Sequence, residues 1–185
     1  MFSRPLSFCP APVGPSVEPP VRPGNRREPP YVADERTTVD GWLDYHRETL
    51  LWKCEGLSDE QLRTVCFPSS RLTLLGLVRH MTDVERGWLL PFLGLEGGPL
   101  YGTEEDRDGE FDLSTADAAR DLACFRSETD ALREALRGHD LDEVEVEERR
   151  NLSLRWILTH LVEEYARHNG HADLIRETID GSTGD

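Results

Sequence analysis

The chain has 185 residues, with 21 Lys+Arg against 36 Asp+Glu, and a formal net charge of −15 at pH 7. That length suits one domain, with or without a tail. The acidic excess argues against nucleic acid and anionic membrane surfaces, which both call for basic patches, and no apolar run approaches the roughly 20 residues of a bilayer span.

Nine of the 12 prolines fall within residues 1–33. Proline fixes φ and removes a backbone donor, so this stretch reads as a disordered or polyproline-like tail. Residues 34–185 are then the folded domain. The tail carries Arg4, Arg22, Arg26 and Arg27 against Glu18 and Glu28, which leaves 17 basic and 34 acidic residues to the domain. Met1–Pro10 is short and broken by Arg4 and Pro5, unlike a signal peptide. The cysteines Cys9, Cys54, Cys66 and Cys124 form no CxxC pair and no zinc-finger spacing. They read as free thiols, and the expected location is the reducing cytoplasm.

From Thr37 onward the pattern is helical. A first helix is expected over 38–55, with Val39, Leu43, Leu50 and Cys54 on one face and Gly56 at its end. Ser58–Gln61 has the form of a capped helical turn. A second helix is expected over 71–92. The Gly- and acid-rich stretch 94–111 reads as a long loop of the kind that borders sites. A third helix is expected over 115–137, capped by Ser114 or Thr115. After a charged connection, in which Val144 and Val146 suit a brief extended segment, Ser153 opens a fourth helix over 153–179. Four amphipathic helices with little strand signal predict an all-α protein, an antiparallel four-helix bundle.

The fourth helix is the most informative. With His160 set at 0°, Glu164, His168 and His171 lie at about 40°, 80° and 20° at 100° per residue, so all four share one face. The apolar arc of Ile157, Leu161, Tyr165, Ala172, Ile175 and Ile179 overlaps it. His168 falls inside that arc and Glu164 at its edge. A carboxylate and an imidazole aimed at a core need partners or a metal, since an unpaired buried charge costs several kcal/mol. Spacing of i, i+4 brings two donor groups close enough to share an ion. Glu164 and His168 are therefore candidate metal ligands, set against the plainer reading of hydrogen bonds at the core boundary. A third ligand must come from another helix. His80 on the second helix, with Gly76 and Gly87 leaving room beside it, and His46 on the first both qualify, and spacing does not choose between them. Glu85 faces inward too and is expected to pair with an arginine.

The segments Leu77–Trp88 and Arg155–Glu177, together with Leu43–Arg47 and Gly56–Leu62, resemble the DinB-like superfamily, in particular its actinobacterial mini-circle-protein-like branch. The resemblance covers about residues 34–185. It implies a four-helix bundle with a three-ligand metal site: one His on the second helix and an HxxxH pair on the last. Here that pair is Glu164-x-x-x-His168, which looks like the variant of mycothiol-dependent maleylpyruvate isomerase. By position the implied ligands are His80, Glu164 and His168, with zinc expected and nickel or iron as alternatives. Relatives of this kind include thiol S-transferases that use mycothiol.

The expectation is then a divalent-metal enzyme that uses a small thiol such as mycothiol for S-transfer to, or isomerisation of, a small electrophile. His160 and His171 are expected beside the ligands, orienting them or moving protons. Arg47, Arg167 and Trp88 are candidate substrate-binding residues, Arg167 being the more natural edge ion-pair residue. The alternative is a non-catalytic bundle of stress response that binds a metal or small ligand. A homodimer is a further expectation.

Overall fold

The computed structural model describes residues 18–103, 105–106, 108–146 and 151–184. The described chain is mostly helical, with five helices and four very short strands. Helix α1 spans Glu35–Cys54, α2 Asp59–Leu62, α3 Leu74–Phe92, α4 Ala118–Ala135 and α5 Leu154–Asp180. Strands β1 (Val21–Arg22) and β2 (Arg26–Arg27) pair antiparallel, as do β3 (Val144–Val146) and β4 (Asn151–Ser153).

Local chemistry sets the helix ends. Asp34 caps α1 by accepting from Thr37 N at 2.8 Å, and Thr73 caps α3 by accepting from Gly76 N at 3.0 Å. Ser58 and Gln61 complete a reciprocal capping box around α2. Ser153 caps α5 as expected, and Gly181, at φ 80°, closes it in the left-handed conformation. At α4 the cap is Asp117, not Ser114 or Thr115.

The four long helices share one core. Leu50, Leu74, Leu77, Met81, Leu89, Phe125, Ile157, Leu161 and Tyr165 are fully buried in it. Paired side chains give the helix directions. Arg155 bonds both carboxylate oxygens of Glu35 at the starts of α5 and α1. Lys53 meets Asp173 near their ends at 2.7 Å. The two helices therefore run the same way. Arg79 faces Asp121 and Arg86 pairs with Glu128, so α3 and α4 also run together. Trp88 meets Trp156 and His80 meets His168, so α3 runs opposite to α5.

This departs from antiparallel packing of all neighbours. The physical reason is the long connection 93–117, which is long enough to bring α4 back alongside α3 without reversing its direction.

The proline-rich stretch also departs from expectation. Residues 1–17, with Cys9, lie outside the described residues. Residues 21–27, however, form the β1–β2 hairpin against α1. Arg26 anchors it and is 2% exposed. Its guanidinium lies 4.0 Å from the Trp52 ring centroid and 5.3 Å from that of Tyr45. It donates to Pro23 O at 2.7 Å and to Tyr45 Oη and Thr49 Oγ1 at 3.3 Å. Composition alone hides such an anchor.

Candidate metal and substrate site

His80 rises from the middle of α3, and Glu164 and His168 from the middle of α5. Each offers one ligand atom, and the three atoms lie within 4.8 Å of one another. The rings of His80 and His168 meet edge to face at 4.6 Å. His168 Nε2 lies 3.4 Å from Glu164 Oε2. Two ligands bound tetrahedrally to one ion at about 2.1 Å sit about 3.4 Å apart. The spacing and the donor set, two imidazoles and a carboxylate, therefore fit a divalent ion. Burial, and then the neighbouring His80, push His168 down to about 4, so its imidazole is neutral near pH 7, as a ligand must be.

The surroundings orient these side chains. Glu110 Oε1 bonds His80 Nδ1 at 3.0 Å, which leaves Nε2 of that ring for an ion. Such a carboxylate–imidazole contact fixes tautomer and ring angle. Phe111 stacks on the same ring, with centroids 5.5 Å apart. A Cβ on Gly76 would fall 2.8 Å from Phe111 Cδ1, so this glycine makes room for the phenylalanine rather than for the imidazole. Gly87 faces open space. His171 Nδ1 lies 3.4 Å from His168 Nδ1, one donating to the other.

On the opposite side His160 Nε2 stands 3.5 Å from Glu164 Oε1. His160 is stacked on Trp156 at 5.0 Å and meets Trp88 edge-on at 4.8 Å. Glu164 thus faces one histidine with each oxygen. Trp88, expected near substrate, belongs to this aromatic wall, and Trp156 is its solvent-exposed member.

The other candidates lie elsewhere. Arg47 is 3% exposed and bonds Glu85 through Nε at 2.8 Å and Nη2 at 2.6 Å. It is the arginine expected to pair with Glu85, and its remaining Nη1 bonds Asp44 at 2.9 Å. Arg167 is exposed on α5 and pairs with Glu163. His46 is not among the clustered ligands. It contacts Asn169, whose Nδ2 donates to His46 O at 3.0 Å, and burial lowers its pKa.

Sequence reasoning missed Glu110, Phe111 and Trp156. Glu110 and Phe111 sit in the long loop, where no periodicity marks an inward side chain. The reading of that loop as a border of the site was the available signal. Asp83 holds the loop down, accepting from the backbone N–H groups of Leu100, Tyr101 and Gly102 at 2.6, 3.0 and 2.9 Å.

A scan of protein families matches residues 38–181 to Mycothiol-S-transferase. The chain belongs to the mycothiol S-transferase family. This is a DinB-like family, in keeping with the resemblance in the α3 and α5 segments. No curated protein matches the chain. Among the described residues of this mycothiol S-transferase family member, no helix is long and apolar enough to cross a membrane.

Proposed function

We propose that the domain over 34–185 is a four-helix bundle that transfers a mycothiol-like thiol to a small electrophile, using a divalent ion held by His80, Glu164 and His168. The convergence of these three ligand atoms within 4.8 Å carries this reading, and membership of the mycothiol S-transferase family supplies the thiol. Zinc suits a site of two imidazoles and one carboxylate, with nickel or iron as alternatives. When bound, the ion supplies a Lewis acid that favours the thiolate form of a coordinated thiol.

The chain's own residues do the rest. Glu110 holds His80 in one tautomer through Nδ1. His171 holds His168 by its Nδ1 contact. His160 stands beside Glu164 without being needed as a ligand and is placed to carry the thiol proton. The sulfur then forms its bond to the electrophilic carbon, and the leaving group departs with the bonding pair. The half-buried Trp88 and exposed Trp156 offer ring faces to a substrate at the mouth of the site. The free thiols of Cys54, Cys66 and Cys124 suit a reducing cytoplasm.

Elemental analysis of the purified protein tests the centre. About one divalent ion per chain is expected, lost in His80→Ala and His168→Ala with the helical circular dichroism retained. A metal-free protein of equal stability overturns the metal site. Consumption of mycothiol with a chloro-dinitrobenzene or bimane reagent tests the reaction. Bound metal without turnover across such a panel favours a non-catalytic binding protein instead.

A further inference from the structure

His160 faces two carboxylates at distances too long for hydrogen bonds. One ring nitrogen, Nε2, lies 3.5 Å from Glu164 Oε1, and the other, Nδ1, lies 3.6 Å from Glu163 Oε2. Both gaps exceed the roughly 2.7–3.2 Å of an N–H···O bond. They are close to the separation of about 3.4 Å between two ligand atoms on one ion. One ligand atom each from His160, Glu163 and Glu164 can be chosen so that all lie within 4.8 Å of one another. The imidazole is held in place for such a role, stacked on Trp156 at 5.0 Å and met edge-on by Trp88 at 4.8 Å. Glu163 pairs with Arg167 through Oε1 and turns Oε2 toward His160. Glu164 turns Oε2 to His168 and Oε1 to His160, so the oxygen facing His160 is not the one that faces the first cluster.

We propose that His160, Glu163 and Glu164 form a second divalent-cation site, which fills when zinc is in excess and slows thiol transfer. One imidazole and two carboxylates are a donor set that suits zinc. The site is the weaker of the two, because Glu163 is exposed and shared with Arg167. An imidazole with an ion on one nitrogen carries its only proton on the other and accepts no further one. A second ion therefore takes His160 out of proton transfer. The site itself stands on the contacts of His160, whereas its inhibitory effect rests on the proton-carrier role proposed for that residue above.

Calorimetric titration of the full-length protein with zinc, after loading with one equivalent, tests the site. A further step of one ion per chain is expected. His160→Gln is expected to remove that step. Glu163→Gln is expected to weaken it at least about tenfold, and both variants are expected to retain the first ion. In the thiol-consumption assay, excess zinc is expected to lower the rate over the range of the second step. Glu163→Gln is expected to shift that inhibition to at least about tenfold higher zinc. Uptake of one ion only overturns the second site and leaves the first standing. A second step unchanged in both variants belongs to other groups and overturns the assignment. A second step without loss of rate overturns the inhibitory effect and, with it, the proton-carrier role of His160. No zinc uptake at all overturns both metal readings. Glu163 lies on the exposed face of α5, so its variant decides the matter even where His160→Gln does not fold.

Discussion

Arg47 on α1 grips both carboxylate oxygens of Glu85 on α3, and neither side chain reaches solvent. Tyr165 on α5 donates its hydroxyl to Glu85 Oε1 at 2.5 Å, which ties a third helix into the pair. Burial, and then the charge of Glu85, hold that hydroxyl well above the usual tyrosine range, so it remains a donor. Glu85→Ala leaves the buried guanidinium with Asp44, at 2.9 Å from Nη1, as its remaining carboxylate, and is expected to cost about 3 kcal/mol in denaturant unfolding. The double variant Arg47→Met, Glu85→Leu is expected to recover most of that loss, because two apolar side chains of similar size need no partner. If the double variant is as unstable as the single one, the cost arises from packing and not from the buried charge that has lost its bidentate partner.

Phe111 depends on the missing side chain of Gly76. Gly76→Ala places a methyl 2.8 Å from the phenylalanine ring and pushes on the segment that carries Glu110. Zinc affinity, measured by competition with a chromogenic chelator, is expected to fall about 10- to 100-fold, as for other losses of ligand support. Gly87→Ala meets nothing within 4 Å and is the matched control, with affinity unchanged. Equal affinities in the two variants remove Phe111 from the support of His80.

His46 gives the fold a pH dependence of known sign. Burial lowers its folded-state pKa from 6.5. The unfolded chain therefore binds the proton first as the pH falls. The contribution is fully present above about pH 6.5 and is lost progressively below it, through the lowered folded value. Urea unfolding free energies between pH 7.5 and pH 5, on this scale, are expected to decline more steeply in the unaltered protein than in His46→Phe. Parallel slopes would assign the decline to other groups.

Arg26 is the hinge pin of the amino-terminal hairpin. Its guanidinium covers Trp52 at 4.0 Å. Arg26→Ala is expected to cost about 2 kcal/mol, the scale of a desolvated cation–π contact. It is also expected to shift tryptophan emission to the red as the Trp52 ring becomes wet. Trp52→Phe identifies the signal, since it removes the shifting component and leaves the other tryptophans.

Helix positions were legible because the chain repeats its apolar residues with helical period and punctuates them with Ser58, Ser153 and Gly181, whereas the cap of α1 at Asp34, three residues before Thr37, was not read. Glu164 and His168 stood out for the same reason: two costly polar groups lay on or beside an apolar arc. The partner of Glu85 was legible as a residue type, and the structure identifies it as Arg47. Glu110 was not legible. It is 30 residues from His80 along the chain, and their contact depends on the path of a loop that no periodicity describes. The hairpin escaped for a related reason. Proline content describes backbone restriction, whereas the docking of the 21–27 hairpin is carried by the side chain of Arg26. The shared direction of α1 with α5 follows from the length of connections, which amphipathic patterns do not order.

Asp83 grips the loop by three successive amide hydrogens and by no loop side chain. Amide hydrogens are common to every residue except proline. The anchor is therefore blind to what the loop spells at Leu100, Tyr101 and Gly102. Leu100, which is exposed, can be exchanged without loosening this grip, whereas Tyr101 is held a second time by its ring, 4.4 Å from the guanidinium of Arg79. A loop grafted onto this frame keeps its anchor as long as Asp83 is retained and none of the three positions is proline.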